Sequence, residues 1–123
     1  MIYKFKEFKD EPLLINHLNM GGKNPKGDEI NVTSRYFTRN GKPWIGVMGE
    51  FHFSRYSREN WHRELAKMKA GGITIVSTYL FWIYHEEIEG KMDFGGDNDI
   101  RAFIEECKDV GLDVVIRIGP WAH

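Results

Sequence analysis

The sequence has little cysteine, no excess of either charge and no long apolar run. Cys107 is the only cysteine among 123 residues, which excludes an internal disulfide framework. The 17 Lys and Arg residues balance 18 Asp and Glu residues, unlike the basic surface that a nucleic-acid-binding protein usually needs. No apolar run approaches the roughly 18 residues of a membrane-spanning helix, and residues 1–19 lack the pattern of a secretory signal. We therefore expect a globular protein without nucleic-acid or membrane partners; its compartment is unknown, with the cytoplasm as the default.

The N-terminal third is only weakly patterned. Residues 31–38 alternate loosely in polarity, which is typical of a β-strand. Asn40 and Gly41 follow, and both residue types accept the positive φ angles of a two-residue hairpin turn. We therefore predict that residues 1–43 form an N-terminal extension with a short β-hairpin.

The remainder, residues 44–123, predicts a β-α-β-α-β series. The first of its three short runs contains glycines at positions 46 and 49. The second and third are rich in β-branched residues and lack polar alternation, which is typical of parallel strands buried on both faces. The predicted strands cover residues 45–50, 73–79 and 112–118.

Two amphipathic helices are predicted between these strands. Trp61, Leu65 and Met68 recur with helical spacing in the first helix, which we expect Ser57 to cap and Gly71-Gly72 to end. The second helix is expected to begin at an Asp97 cap and to end at Gly111 in a left-handed conformation, with Phe103 and Cys107 on its apolar face. On that face Cys107 is expected to be an inert core residue.

This alternation indicates an α/β protein, either an open sheet or an eightfold barrel. Residues 51–60, which follow the first strand, contain no glycine and several aromatics, so a phosphate could not approach the backbone as in dinucleotide-binding proteins. We therefore predict a partial (β/α)8 TIM barrel that contains the first three parallel strands and two helices. A closed barrel takes about 250 residues, so we expect the remaining strands to belong to a longer parent chain.

Functional groups in barrels lie at the carboxyl ends of the strands. In this sequence those ends combine aromatic surface with hydrogen-bonding side chains, which suits a polyhydroxylated ligand such as a carbohydrate. The candidate substrate-binding residues are Glu50, His52, Tyr79, Trp82, Glu86, Trp121 and His123.

Other readings of these residues remain open. Glu50 and Arg55 could form a structural ion pair instead of a binding site. Glu50 and His52 share a strand face and could suggest a metal, but no further residues complete a ligand set. We therefore predict neither a metal nor another cofactor.

Residues 40–123 also contain a series of short motifs. In order they are GE-x-H-x-x-R, W-x-x-x-L-x-x-x-K-x-x-G, TY-x-x-W-x-x-HE, EG-x-x-D-F and R-x-GP-aromatic. The series resembles the opening of the catalytic barrel of glycoside hydrolase family 35, the β-galactosidase family.

The resemblance implies a TIM barrel with appended β domains and the removal of terminal β-linked galactose, or a related sugar, with retention of configuration. It implies that Tyr79 contacts galactose and that His123 begins a sugar-binding loop. The acid/base and nucleophile of the family are glutamates on the fourth and seventh strands, so the catalytic residues are expected beyond His123. The chain by itself is then expected to be inactive.

Two alternatives from other classes remain. The chain could be a noncatalytic carbohydrate-binding or interaction module, with Tyr79, Trp82 and Trp121 as its stacking surface. It could also belong to a metal-dependent hydrolase of another barrel family.

Overall fold

The computed structural model describes Tyr3 and residues 11–119. The chain divides into two units, Met1–Ile45 and Gly46–His123. Within the described residues, no helix has both the length and the apolar character needed to cross a membrane.

The first unit contains a four-stranded antiparallel sheet in the order β1-β2-β3-β4. Asn40 and Gly41 have φ angles of 52° and 74°, as the predicted hairpin turn requires. The strands are β1 (Gly22–Lys23), β2 (Glu29–Val32), β3 (Phe37–Arg39) and β4 (Lys42–Trp44).

The sequence predicts one continuous strand over residues 31–38. This prediction is wrong, because a turn divides the segment between two strands. The hydroxyl of Thr33 accepts hydrogen bonds from the backbone N–H groups of Arg35 and Tyr36 and donates one to the Tyr36 carbonyl. These local bonds replace ladder bonds and reverse the chain between β2 and β3.

The second unit contains the parallel sheet that the sequence predicts, with strand order β5-β6-β7. Helix α1 connects β5 to β6 and helix α3 connects β6 to β7, while the short helix α2 directly follows β6. The bounds are β5 (Met48–Glu50), α1 (Trp61–Ala70), β6 (Ile75–Phe81), α2 (Trp82–His85), α3 (Ile100–Val110) and β7 (Asp113–Gly119).

The helix caps differ from the prediction at both N-termini. Ser57 makes no side-chain cap; the backbone N–H of Arg58 donates to Asp97 Oδ1 at 2.7 Å. Helix α3 is capped by Asp99, whose Oδ1 accepts from Ala102 N–H at 2.9 Å. Asp97 therefore accepts a hydrogen bond from Arg58 and does not cap α3. Gly111 has φ 79°, which confirms the left-handed end of α3.

The two faces of the parallel sheet have different roles. Gly49, Val76 and Val114 are paired in register across the three strands, so they lie on one face of the sheet. This face packs against the helices. A Cβ at Gly49 would lie 2.8 Å from Met68 Cε, so glycine lets α1 lie close to β5. The side chains of the opposite face alternate with these; they include Met48, Glu50, Ser77, Tyr79, Val115 and Arg117.

An aromatic cluster holds the segment after β5 against the helices. The Phe103 ring stacks on Phe53 at 5.1 Å and meets the edge of Trp61 at 5.4 Å between ring centroids. The indole N–H of Trp61 donates to the Tyr56 carbonyl at 2.9 Å and to the Phe53 carbonyl at 3.2 Å. These buried contacts determine the path of the chain directly after Glu50.

Candidate functional site

The carboxyl ends of the parallel strands bring together residues that are far apart in sequence. Glu50 ends β5, Tyr79 lies near the end of β6, and Arg117 lies opposite Tyr79 in the register of β7. Because strand residues two apart share a face, all three side chains project from the face that the helices leave open. We call Glu50, His52, Tyr79, Phe81 and Arg117 the strand-end cluster.

Arg117 is the central cation of this cluster. Its guanidinium forms an ion pair with the Glu50 carboxylate. Its Cζ atom also lies 3.7 Å from the centroid of the Tyr79 ring, well inside the roughly 6 Å range of a cation–π contact. Arg117 therefore links the first and third strands across the second.

His52 adds an imidazole to the other side chains. Its ring centroid lies 5.6 Å from that of Tyr79 and 5.2 Å from that of Phe81, and its Nε2 lies 3.8 Å from Glu50 Oε1. Burial lowers the pKa of His52 from its usual 6.5, and the nearby Arg55 cation lowers this pKa further. The imidazole is therefore neutral at pH 7 and can donate or accept a hydrogen bond.

The alternative ion pair between Glu50 and Arg55 is wrong. Glu50 pairs with Arg117, and the Arg55 guanidinium lies over the Phe81 ring at 4.6 Å from its centroid. The chain turns into a short helical segment at Phe53–Arg55, and Arg55 thereby reaches the end of β6.

Trp82 and Glu86 interact with each other. The indole N–H of Trp82 donates to Glu86 Oε2 at 2.6 Å, and Gly90 N–H donates to Glu86 Oε1 at 2.7 Å. Both carboxylate oxygens of Glu86 thus hold the loop after α2, while the Trp82 side chain remains 49% exposed. The structure brings Glu50, His52 and Tyr79 together but gives Glu86 a separate set of partners.

Two predicted site residues, Trp121 and His123, lie outside the described residues, and their roles stay predictions. Residues 11–119 contain no group of three or more His, Cys, Asp or Glu side chains arranged to hold a metal ion.

Arg117 is the site residue that inspection of the strand ends misses. It lies within β7, before the end of the strand, so its position in the chain does not mark it as a loop residue. Two features of the sequence could have indicated Arg117: it belongs to the R-x-GP motif, and it lies two residues after Val115, so both side chains lie on the same face of the strand.

Chemically, the strand-end cluster can bind a polar ligand. It offers an aromatic hydroxyl, a neutral imidazole and a carboxylate paired with a guanidinium, at the sheet edge where α/β barrels bind their substrates. This architecture is that of an α/β protein with a candidate binding site at the ends of its parallel strands. The model of the glycosyl hydrolases family 35 matches residues 36–123, and the chain belongs to this family.

Similar proteins carry the name beta-galactosidase. The chain is 43% identical over 86 residues to a beta-galactosidase of Xanthomonas manihotis, a match that covers 70% of the chain and 14% of that protein. It is 38% identical over 97 residues to beta-galactosidase 7 of Oryza sativa subsp. japonica, covering 79% of the chain and 12% of the relative. The beta-galactosidase of Homo sapiens is 34% identical over 93 residues, with 76% and 14% covered. The matched part of the chain thus spans only 12 to 14% of the length of these relatives.

Proposed function

We propose that this chain is the opening part of the catalytic TIM barrel of a retaining glycoside hydrolase that acts on terminal β-linked galactose or a related sugar. The strand-end cluster around Tyr79 carries this proposal, because it lies in the region that the family model covers. The enzyme would act in carbohydrate metabolism. Residues 1–43 would be its N-terminal extension and residues 44–123 would supply the first three strands.

The parallel sheet supports a partial barrel. Among the described residues, β5 and β7 each pair on one side only. The face opposite the helices exposes apolar side chains, with Met48 52% and Val115 40% exposed. In a closed barrel this face is the packed interior, and further strands join both edges. We propose that the remaining strands of the parent chain cover these groups.

The site residues receive separate roles in this proposal. Tyr79 contacts the sugar through its hydroxyl, and Trp82 offers apolar surface to its C–H groups. Glu50 and His52 line the same subsite, while Glu86 shapes the adjoining loop through its bonds to Trp82 and Gly90. Trp121 and His123 are proposed to continue this sugar-binding surface.

The two catalytic carboxyls are proposed to lie on later strands of the parent. Retaining hydrolysis needs two carboxyl groups about 5 to 5.5 Å apart, one of them free to attack the sugar. Glu50 is paired with Arg117, and both oxygens of Glu86 accept hydrogen bonds. The resemblance to the family implies a nucleophile and an acid/base on the fourth and seventh barrel strands, whereas Glu50 and Glu86 lie at the first two parallel strands, so we expect the chain alone to be inactive.

The experiment compares the 123-residue chain with the complete enzyme on a panel of chromogenic β-glycosides. We expect the complete enzyme to prefer the galactoside and the chain to give no turnover. Tyr79→Phe should lower kcat/KM about tenfold, the usual effect of losing one substrate hydrogen bond. Tyr36→Phe, in the first unit, is the matched control and should leave kcat/KM unchanged. Turnover by the chain at the rate of the complete enzyme would contradict the proposal.

A second candidate, a noncatalytic carbohydrate-binding module, is favoured by the half-exposed Trp82 ring. Saturable quenching of tryptophan fluorescence when galactose is added to the chain, lost in Trp82→Phe, would support it. A signal that does not change with galactose concentration would count against it.

A further inference from the structure

The Arg117 guanidinium lies directly over the Tyr79 ring, with two aromatic rings of the strand-end cluster beside it. The guanidinium carbon lies 3.7 Å from the Tyr79 centroid, and the ring centroids of His52 and Phe81 lie 5.6 Å and 5.4 Å from the same centroid. Direct pairing of Tyr79 with Arg117 in the β6–β7 register places the two side chains on the same face. The position of the Tyr79 ring therefore depends on where the guanidinium lies.

The guanidinium is itself held in place. Glu50, at the end of β5, pairs with it, and the same carboxylate lies 3.8 Å from Nε2 of His52. Tyr79 thus contacts two side chains, Arg117 and His52, that both meet Glu50. A tyrosine at a strand end has several accessible rotamers, and these neighbours restrict them.

We propose that Arg117 is a positioning residue for the sugar subsite and that it acts through Tyr79. Glu50 orients the guanidinium, and the guanidinium holds the ring so that the Tyr79 hydroxyl is aimed before the sugar arrives. Such preorganisation matters because small displacements of a binding group cost affinity and rate. The inference rests on the proposed function in taking Tyr79 as a sugar contact.

A purely structural role for Arg117 makes a different prediction. If the residue only joins β5 to β7, its loss lowers thermal stability, and its effect on kcat/KM adds to that of Tyr79→Phe. If Arg117 acts through the Tyr79 hydroxyl, its replacement should have no further effect on kcat/KM in a variant that already lacks this hydroxyl. Non-additivity therefore separates the two roles.

The test is a double-mutant cycle in the complete enzyme with Tyr79→Phe, Arg117→Met and the double variant. We expect each single variant to lower kcat/KM about tenfold and the double variant to lose the same tenfold. Arg117→Lys should restore part of the loss, because an ammonium can still lie over the ring and meet Glu50. Arg101→Met, on the exposed face of α3, is the matched control and should leave kcat/KM unchanged.

Two results would overturn the inference: a loss of about a hundredfold in the double variant, or unchanged kcat/KM in Arg117→Met. Rates are normalised to folded enzyme by circular dichroism, so that unfolding is not read as lost positioning. The cycle uses the β-glycoside that the enzyme hydrolyses fastest. If the complete enzyme hydrolyses other β-glycosides but not the galactoside, the proposed substrate is contradicted. The double-mutant cycle, measured on the hydrolysed glycoside, would still decide the role of Arg117.

Discussion

Burial determines the protonation of two side chains that often do chemistry in enzymes, Cys107 and His52. Burial raises the pKa of the Cys107 thiol to about 12, with a smaller contribution from the Glu106 carboxylate. Burial instead lowers the pKa of His52. Both groups are therefore uncharged at pH 7, and only His52 lies in the strand-end cluster.

The thiol of Cys107 should be protected from modification. A neutral thiol packed among Phe103, Leu65 and Trp61 in the core is a poor nucleophile. We expect a thiol-specific disulfide reagent at about pH 8 to label the native chain far more slowly than the chain in denaturant. Equal labelling rates in the two conditions would show that Cys107 is accessible.

Acid should destabilise the chain through His52. Its pKa is lower in the folded state than the ordinary 6.5, so the unfolded state binds the proton first as pH falls. The contribution of His52 is therefore present above about pH 6.5 and is lost as pH falls through the folded-state pKa.

Urea unfolding of the wild type and of His52→Gln between pH 5 and 8 measures this contribution. We expect the stability of the wild type to fall more steeply with acid than that of His52→Gln, and His17→Gln, at an exposed position, to follow the wild type. Parallel pH profiles for the wild type and His52→Gln would contradict the assignment.

Among the elements, α3 shows how one aspartate serves two functions. Asp99 caps the helix through Ala102 N–H, and its other oxygen binds the Arg58 guanidinium at 3.1 Å. Arg58 N–H is in turn held by Asp97. The start of α3 and the segment leading into α1 are therefore tied together.

Loss of the Asp99 cap should be measurable in the free energy of unfolding. Replacing an N-cap aspartate with alanine costs about 1 kcal/mol. We expect Asp99→Ala to lose about that amount in urea denaturation and Asp109→Ala, on the exposed side of the same helix, to lose much less. Equal losses for the two variants would mean that Asp99 is not the cap.

The hairpin turn and the helix end that the sequence predicts correctly have local causes, whereas the helix cap and the site contact that it misses have distant partners. The Asn40-Gly41 turn and the left-handed Gly111 depend on neighbouring residues, and both predictions are confirmed. The choice of Asp99 over Asp97 as the cap depends on Arg58, far away in the chain. The contact of Arg117 with Tyr79 likewise follows from strand register.

As far as the structure describes the second unit, up to residue 119, helices cover one face of its parallel sheet. Its other face combines the strand-end cluster with exposed Met48 and Val115. Exposed apolar strand surface with unpaired edges promotes association between chains. We propose that the parent barrel buries this surface.

The chain in isolation should therefore self-associate. We expect size-exclusion chromatography to show concentration-dependent oligomers, and Met48→Lys with Val115→Lys to shift the chain toward the monomer. Ile83→Lys, at an exposed position outside the sheet, is the control and should not cause this shift. A wild-type chain that stays monomeric at every concentration would contradict the proposal.

The ion pair between Glu50 and Arg117 also has a consequence for synthesis on the ribosome. Its partners lie on the first and third strands of the parallel sheet, and the chain emerges N-terminus first. The contact closes a long loop, which is slow to form compared with a helix or a hairpin. Tyr79 therefore leaves the ribosome before the residue that holds its ring, and this part of the site is completed only once β7 has been translated.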